Sequence, residues 1–209
     1  MRNHFIKKNT SGLYRQILCL ILTYILVMLT GCTPDLLESS EEIPMEGNLI
    51  QMGTQLEIEK PDDRFTLRDH KDALAADGRY YISWSMGETE SYESSDGDTI
   101  DLYDAQLHLL LSECRNDEDA RKACSSWLEA ARENYEVSEE EEIICNEQAY
   151  TCIHYQCPGK ENPYDRGVSA FATSNSNAVC IEFTCQKDFT EDLQQLLTDF
   201  LNGCHYKTD

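Results

Sequence analysis

The sequence predicts an α+β domain: a mainly antiparallel sheet covered by two amphipathic helices. Three observations carry this. From Leu49 onward most apolar residues alternate at period two, the spacing of a strand with one buried face. Two stretches, near 117–135 and 189–201, switch to spacings of three and four, the spacing of a helix with one apolar stripe. The strands come in runs, without the strand–helix–strand alternation of a parallel sheet. Each helix needs a sheet face, so the two are expected to cover both faces.

The chain starts with a different kind of segment. Arg2, Lys7, Lys8 and Arg15 precede an apolar run from Ile17 to Leu29, interrupted only by Thr23, and no acidic residue occurs before Cys32. The run is shorter than the roughly 20 apolar residues a span requires, and it suits the core of a signal peptide. It ends in Leu29-Thr30-Gly31-Cys32, which resembles the bacterial lipobox. The resemblance implies that residues 1–31 are a signal peptide and that Cys32 is lipidated. It also implies anchoring to the cell membrane on the extracytoplasmic face. Residues 32–48, with two prolines and a Ser-Ser-Glu-Glu run, read as an acidic flexible tether reaching roughly 20–24 Å as a coil. Residues 49–209 form the single domain.

Within it, Leu49 to Ile58 reads as a strand stopped by Lys60-Pro61-Asp62-Asp63, and Arg64 to Leu67 as a short extended piece. Asp77-Gly78 turns the chain into Tyr80, Ile82, Trp84 and Met86, one face of a strand. Glu88 to Thr99 is polar and reads as a long loop. Ile100 to Leu111 alternates again, with His108 on the polar side. Asn116 is placed to cap a helix whose first turn is acidic and whose stripe runs Ala120, Ala123, Cys124, Trp127, Leu128, Ala131 and Tyr135.

An acidic run, Glu139 to Glu142, leads into Ile143-Ile144-Cys145, and Asn146-Glu147 turns into Gln148–Cys157. Pro158 to Arg166 reads as a loop. Gly167–Thr173 and Ala178–Cys185 read as a hairpin around Ser174–Asn177. Asp188-x-x-Glu191 has the spacing of a capping box. The last helix carries Phe189, Leu193, Leu196, Leu197, Phe200 and Leu201, with Gly203 at its C-terminus.

This order is similar to PsbP-like domains over about residues 49–205: early strands, a Trp-bearing middle helix, a four-strand meander and a closing amphipathic helix. The Ran-binding Mog family shares that fold. The resemblance implies an α/β/α sandwich that binds or assists assembly and is not an enzyme. It supplies no manganese or calcium ligands that match this sequence.

Composition limits the partners. Without residues 1–31 the chain carries 13 basic and 39 acidic side chains, a formal charge of −26. Nucleic acid is therefore not an expected partner, since phosphate contacts need Lys and Arg. The expected partners are the membrane, through lipid on Cys32, and an envelope protein or small ligand.

Eight further cysteines are candidates for disulfides: Cys114, Cys124, Cys145, Cys152, Cys157, Cys180, Cys185 and Cys204. The competing reading is that several are small buried hydrophobes. Cys152/Cys157 and Cys180/Cys185 mimic a four-thiolate metal site. An odd offset on a strand, however, sends each pair to opposite faces, about 17 Å apart at about 3.4 Å per residue. No metal or cofactor is expected.

No phosphate-binding, dinucleotide, zinc-protease or serine-hydrolase motif is present. Beyond residues 1–31 the histidines, His70, His108, His154 and His205, are isolated, and Asp96-Gly97-Asp98 reads as a plain turn. Tyr80 and Trp84 are expected in the core, with Tyr81 and Tyr92 open for a ligand surface. No catalytic residue is assigned. The reading is a surface-tethered, non-catalytic binding or assembly-accessory lipoprotein, with specificity in the loops 87–99 and 158–166 and no deep polar pocket of perturbed titratable groups. The alternatives are an envelope hydrolase with an unrecognised site and a thiol-redox protein.

Overall fold

The computed structural model describes residues 45–69, 78–87, 90–93, 99–158 and 164–207. The segments read as a signal peptide, a lipobox at Leu29, Thr30, Gly31 and Cys32, and a tether up to residue 44 lie outside the described residues. So do His70 and Asp96-Gly97-Asp98.

The first strands are β1 (Met45–Glu46), β2 (Leu49–Met52), β3 (Leu56–Glu59), β4 (Phe65–Asp69) and β5 (Arg79–Met86). The hairpin β6 (Glu90–Glu93)–β7 (Thr99–Leu102) and the strand β8 (Ala105–Glu113) precede helix α1 (Asp117–Asn134). Then follow β9 (Glu136–Val137), β10 (Glu141–Cys145), β11 (Gln148–Gln156), β12 (Arg166–Ser174), β13 (Asn177–Cys185), helix α2 (Leu193–Asn202) and β14 (Cys204–Tyr206). The main sheet runs β10-β11-β12-β13-β8-β5-β4, with β9 also on β11, and every pairing is antiparallel. This is the α+β class read from the sequence.

The two helices lie on opposite faces of that sheet. One face carries Ile82, Trp84, Leu107, Leu109, Val168, Ala170, Ile181 and Phe183, all buried in one core with Leu193, Leu196, Leu197, Phe200 and Leu201 of α2. Phe200 meets Trp84 and Phe183 edge-on at 5.7 and 6.3 Å. The other face receives α1, which buries Ala120, Trp127 and Ala131 over β12 and β13. Asn116 caps α1 as its sequence implies, Oδ1 accepting from the Asp119 N–H at 2.9 Å.

Four local readings are corrected. Leu49 to Ile58 is not one strand: the chain reverses at Gly53 (φ +57), and Thr54 donates from N and Oγ1 to Glu113 Oε1 at 2.6 and 2.9 Å. Met45 and Glu46, read as part of the unstructured stretch before Leu49, form a strand that pairs with Ile50 and Leu49. The loop over Glu88–Thr99 contains most of the β6–β7 hairpin. The α2 cap is Asp192, whose Oδ1 accepts from Gln194 N at 2.9 Å, and not the Asp188 box. Phe189 packs on the core from outside the helix.

A second sheet, β1-β2-β3-β14, is invisible in the local pattern. It joins the two ends of the domain, Cys204 pairing with Ile58 and Tyr206 with Leu56. Ile50, Met52, Leu56, Ile58 and Cys204 are fully buried in the same core as α2.

Candidate functional site

An open groove of about 610 Å³ lies where the first turn of α2 meets the ends of β11 and β12. Its position follows from two local anchors. After α1, the chain drops onto β11, Val137 opposite Tyr155 and Glu136 opposite Gln156. Ser138 fixes that contact: its N–H donates to His154 O at 2.8 Å, and its Oγ accepts from His154 N at 3.0 Å. On the other side, Arg166 donates from Nη2 to Phe189 O at 2.7 Å and so holds the segment leading to the α2 cap.

The groove is richer in acceptors than in free donors. Glu136, Glu191 and Asp192 contribute carboxylates, of which Glu191 also pairs with Arg64 at 2.5 Å and Asp192 caps α2, and Gln194 Oε1 is buried without a hydrogen-bond partner. Arg166 is committed to backbone carbonyls. A volume of this size falls in the range of ligand sites. Its chemistry suits a group that brings N–H donors or positive charge.

A polar strip runs on the α1 side of the sheet. Tyr155 lies across Gly167, where an added Cβ would fall 2.2 Å from the ring. The ring stacks on Tyr135 at 4.4 Å, and its hydroxyl donates to Glu182 Oε1 at 2.7 Å. Burial raises the Glu182 carboxyl above its usual range, although Tyr155 and Ser169 hydrogen-bond its charged form. Opposite Glu182 on β8, His108 Nδ1 shares a 2.6 Å hydrogen bond with the Tyr81 hydroxyl, and burial lowers its pKa to about 4.

His108 and Glu182 are thus perturbed titratable groups on this strip, and neither lines the groove. Desolvation is the leading cause at both, and each has a hydroxyl partner. A neutral imidazole of pKa about 4 is a weak base near pH 7, so the Tyr81–His108 contact is a poor nucleophile–base pair.

The eight candidate cysteines are free thiols in this structure. Cys145, Cys152, Cys185 and Cys204 are buried in the α2-side core. Cys180 faces α1, as the odd spacing from Cys185 requires, and Cys124 donates from Sγ to Ala172 O at 3.2 Å. Cys114 follows β8 and Cys157 follows β11. Burial pushes Cys124 up to about 11 and Cys152 up to about 12, and it raises Cys114, Cys145, Cys180, Cys185 and Cys204 as well. Among the described residues no His, Cys, Asp and Glu group is arranged to hold a metal ion.

The other residues singled out by the sequence divide plainly. Trp84 is core, and Tyr80 is half-buried with its hydroxyl 3.4 Å from Glu113 Oε2. Tyr81 serves His108, and the side chain of Tyr92 lies outside the described residues. His205 is exposed, with Nε2 3.1 Å from Glu59 Oε1. The loop 158–166 is described at Pro158 and from Tyr164, and its last residue, Arg166, lines the groove. Sequence reasoning missed the groove because four separate segments build it. No described helix is long and apolar enough to cross a membrane.

No family model matches the chain, and no curated protein matches it. Among solved structures, it is similar to cyanobacterial PsbP (CyanoP) from Synechocystis. That match has 11% identity and a TM-score of 0.38, over 70% of this chain and 95% of that one. It is also similar to a Bacteroides thetaiotaomicron protein with 6% identity and a TM-score of 0.43, over 76% of this chain. The chain spans half the length of the Bacteroides protein.

Proposed function

We propose that this chain is a non-catalytic binding or assembly-accessory lipoprotein. In this reading lipid on Cys32 holds it at the extracytoplasmic face of the cell membrane, and it takes its partner at the α2 groove. The observation that carries the reading is the groove itself: open, of ligand-site size, and lined with hydrogen-bond acceptors that include the unpartnered Gln194 Oε1. His108, whose pKa burial lowers to about 4, and Glu182 lie outside the groove, and burial raises the groove's own Tyr155 hydroxyl well above its ordinary value, which favours binding over acid–base chemistry. A redox thiol needs exposure and a lowered pKa, and burial here drives the thiols the other way.

A photo-crosslinking residue at Gln156, exposed at the groove, tests the reading on intact envelopes. The expected result is one discrete partner, absent when the crosslinker replaces Ser125 on the exposed side of α1. Equal labelling from both positions would sink it. The anchor is tested separately: Cys32→Ala is expected to move the protein from the membrane fraction to the soluble fraction, and unchanged fractionation would refute lipidation there.

A further inference from the structure

We infer that the free edge of β10 is a docking strand for an extended segment with adjacent apolar and basic residues. The inference rests on the binding-module reading and names the partner's chemistry. The β10–β11 turn is the two-residue Asn146-Glu147, both at positive φ (+48 and +64), and Cys145 pairs with Gln148 across it. In such a hairpin the closing pair is hydrogen-bonded and the pairs then alternate. Cys145, Ile143 and Glu141 therefore spend their backbone groups on β11. Ile144 and Glu142 point theirs outward, and no described residue bonds them there.

The side chains along this edge make two blocks. Glu139, Glu140, Glu141 and Glu142 come first and Ile143-Ile144 second. Arg132 takes Glu140 alone. Ile144 is 68% exposed, and only it and Leu49 are exposed among the large apolar residues described. Edges are shielded by shortness, charge, Pro or a bulge; this one is short and has charge of a single sign at Glu141 and Glu142, no Pro or bulge, and a large apolar side chain displayed beside the charge.

A strand added here gains backbone hydrogen bonds at Glu142 and Ile144. It also sets its own side chains against two carboxylates and an isoleucine pair. Opposite charge is favoured across such pairs, so the partner is basic beside Glu141–Glu142 and apolar beside Ile143–Ile144. A second copy is the wrong occupant. Antiparallel self-pairing sets Glu against Ile, and two chains of formal charge −22 repel. The edge continues through Ser138 and β9 into the groove, whose acceptors suit the same basic segment.

The test is fluorescence anisotropy with a Thr-Val-Val-Lys-Lys-Lys peptide, its Glu-for-Lys counterpart, and a version N-methylated at alternate amides. The Lys peptide is expected to bind at least about tenfold more tightly than either control. Ile144→Pro, which removes an outward N–H and leaves the β11 bonds, is expected to abolish that difference. Glu141→Lys/Glu142→Lys is expected to reverse the charge preference on an intact edge, which keeps the proposal testable if the proline variant misfolds. Equal binding of the N-methylated peptide would reduce the effect to charge alone and overturn the proposal. So would a concentration-dependent dimer abolished by Ile144→Pro. Peptide failure alongside a discrete crosslink from Gln156 would overturn this inference and leave the proposed function standing.

Discussion

Gly167 is held to glycine by its neighbour: the Tyr155 ring occupies the space a β-carbon would need, 2.2 Å away. Gly167→Ala must push the ring off Tyr135 and its hydroxyl off Glu182, an overpacking cost of about 1–3 kcal/mol. Urea unfolding checks the cost, and a changed near-ultraviolet tyrosine signal checks the route; an unchanged midpoint would refute it. His108 and Glu182 set opposite pH slopes. The folded pKa of His108 is about 4, below its usual 6.5, so its contribution is complete above about pH 6.5 and is lost as pH falls toward 4. The loss is at most about 3 kcal/mol. The folded pKa of Glu182 is raised, so its contribution is complete below its ordinary value and is lost as pH rises through the folded one. Relative to the native protein, His108→Gln is therefore expected to lose less stability between pH 6.5 and 4. Glu182→Gln is expected to lose less as pH rises above 4.5. Parallel stability profiles for all three proteins would show that neither shift exists.

At the scale of elements, local chemistry decided what the sequence could announce. The Asn116 cap, the α1 stripe and the turns at Asn146-Glu147 and Asn175-Ser176 rest on neighbouring residues, and all were legible. The α2 start was not. Asp188 and Asp192 are both plausible caps in sequence, and the choice depends on Arg166 gripping Phe189 O from 23 residues away. Asp192→Ala is expected to cost about 1 kcal/mol and Asp188→Ala only a few tenths, measured by thermal or urea unfolding. The reverse order would restore the Asp188 box. The groove was illegible for the same reason: Glu136, Ser138, His154, Arg166 and Gln194 come from segments joined only by pairing register and Arg166. Register also separated the cysteines, since an odd spacing places Cys180 and Cys185 on opposite faces whatever the rest of the fold does.

Across the whole molecule, the least local feature is the small sheet that binds the end of the domain to its beginning. Gly203 turns the chain from α2 into β14 and accepts the Glu59 N–H on its carbonyl at 2.8 Å. Cys204 then fills a fully buried site beside Ile58, and the Tyr150 hydroxyl reaches Tyr206 Oη at 3.2 Å. Neither β2–β3 nor β14 can bury its apolar side alone, because the α2-side core receives both. A chain ending at Gly203 loses the β3 edge bonds, the Cys204 side chain and most of the cover over Leu56 and Ile58. Burial at about 1.5–3 kcal/mol per large apolar side chain makes that loss about 3–5 kcal/mol. A chain ending at Lys207 keeps β14 and its Gln55 contact, so it should unfold at the urea midpoint of the full protein. If the chain ending at Gly203 matched that midpoint too, α2 alone would suffice to cover the core, and the sheet joining the two ends would be an ornament on the fold.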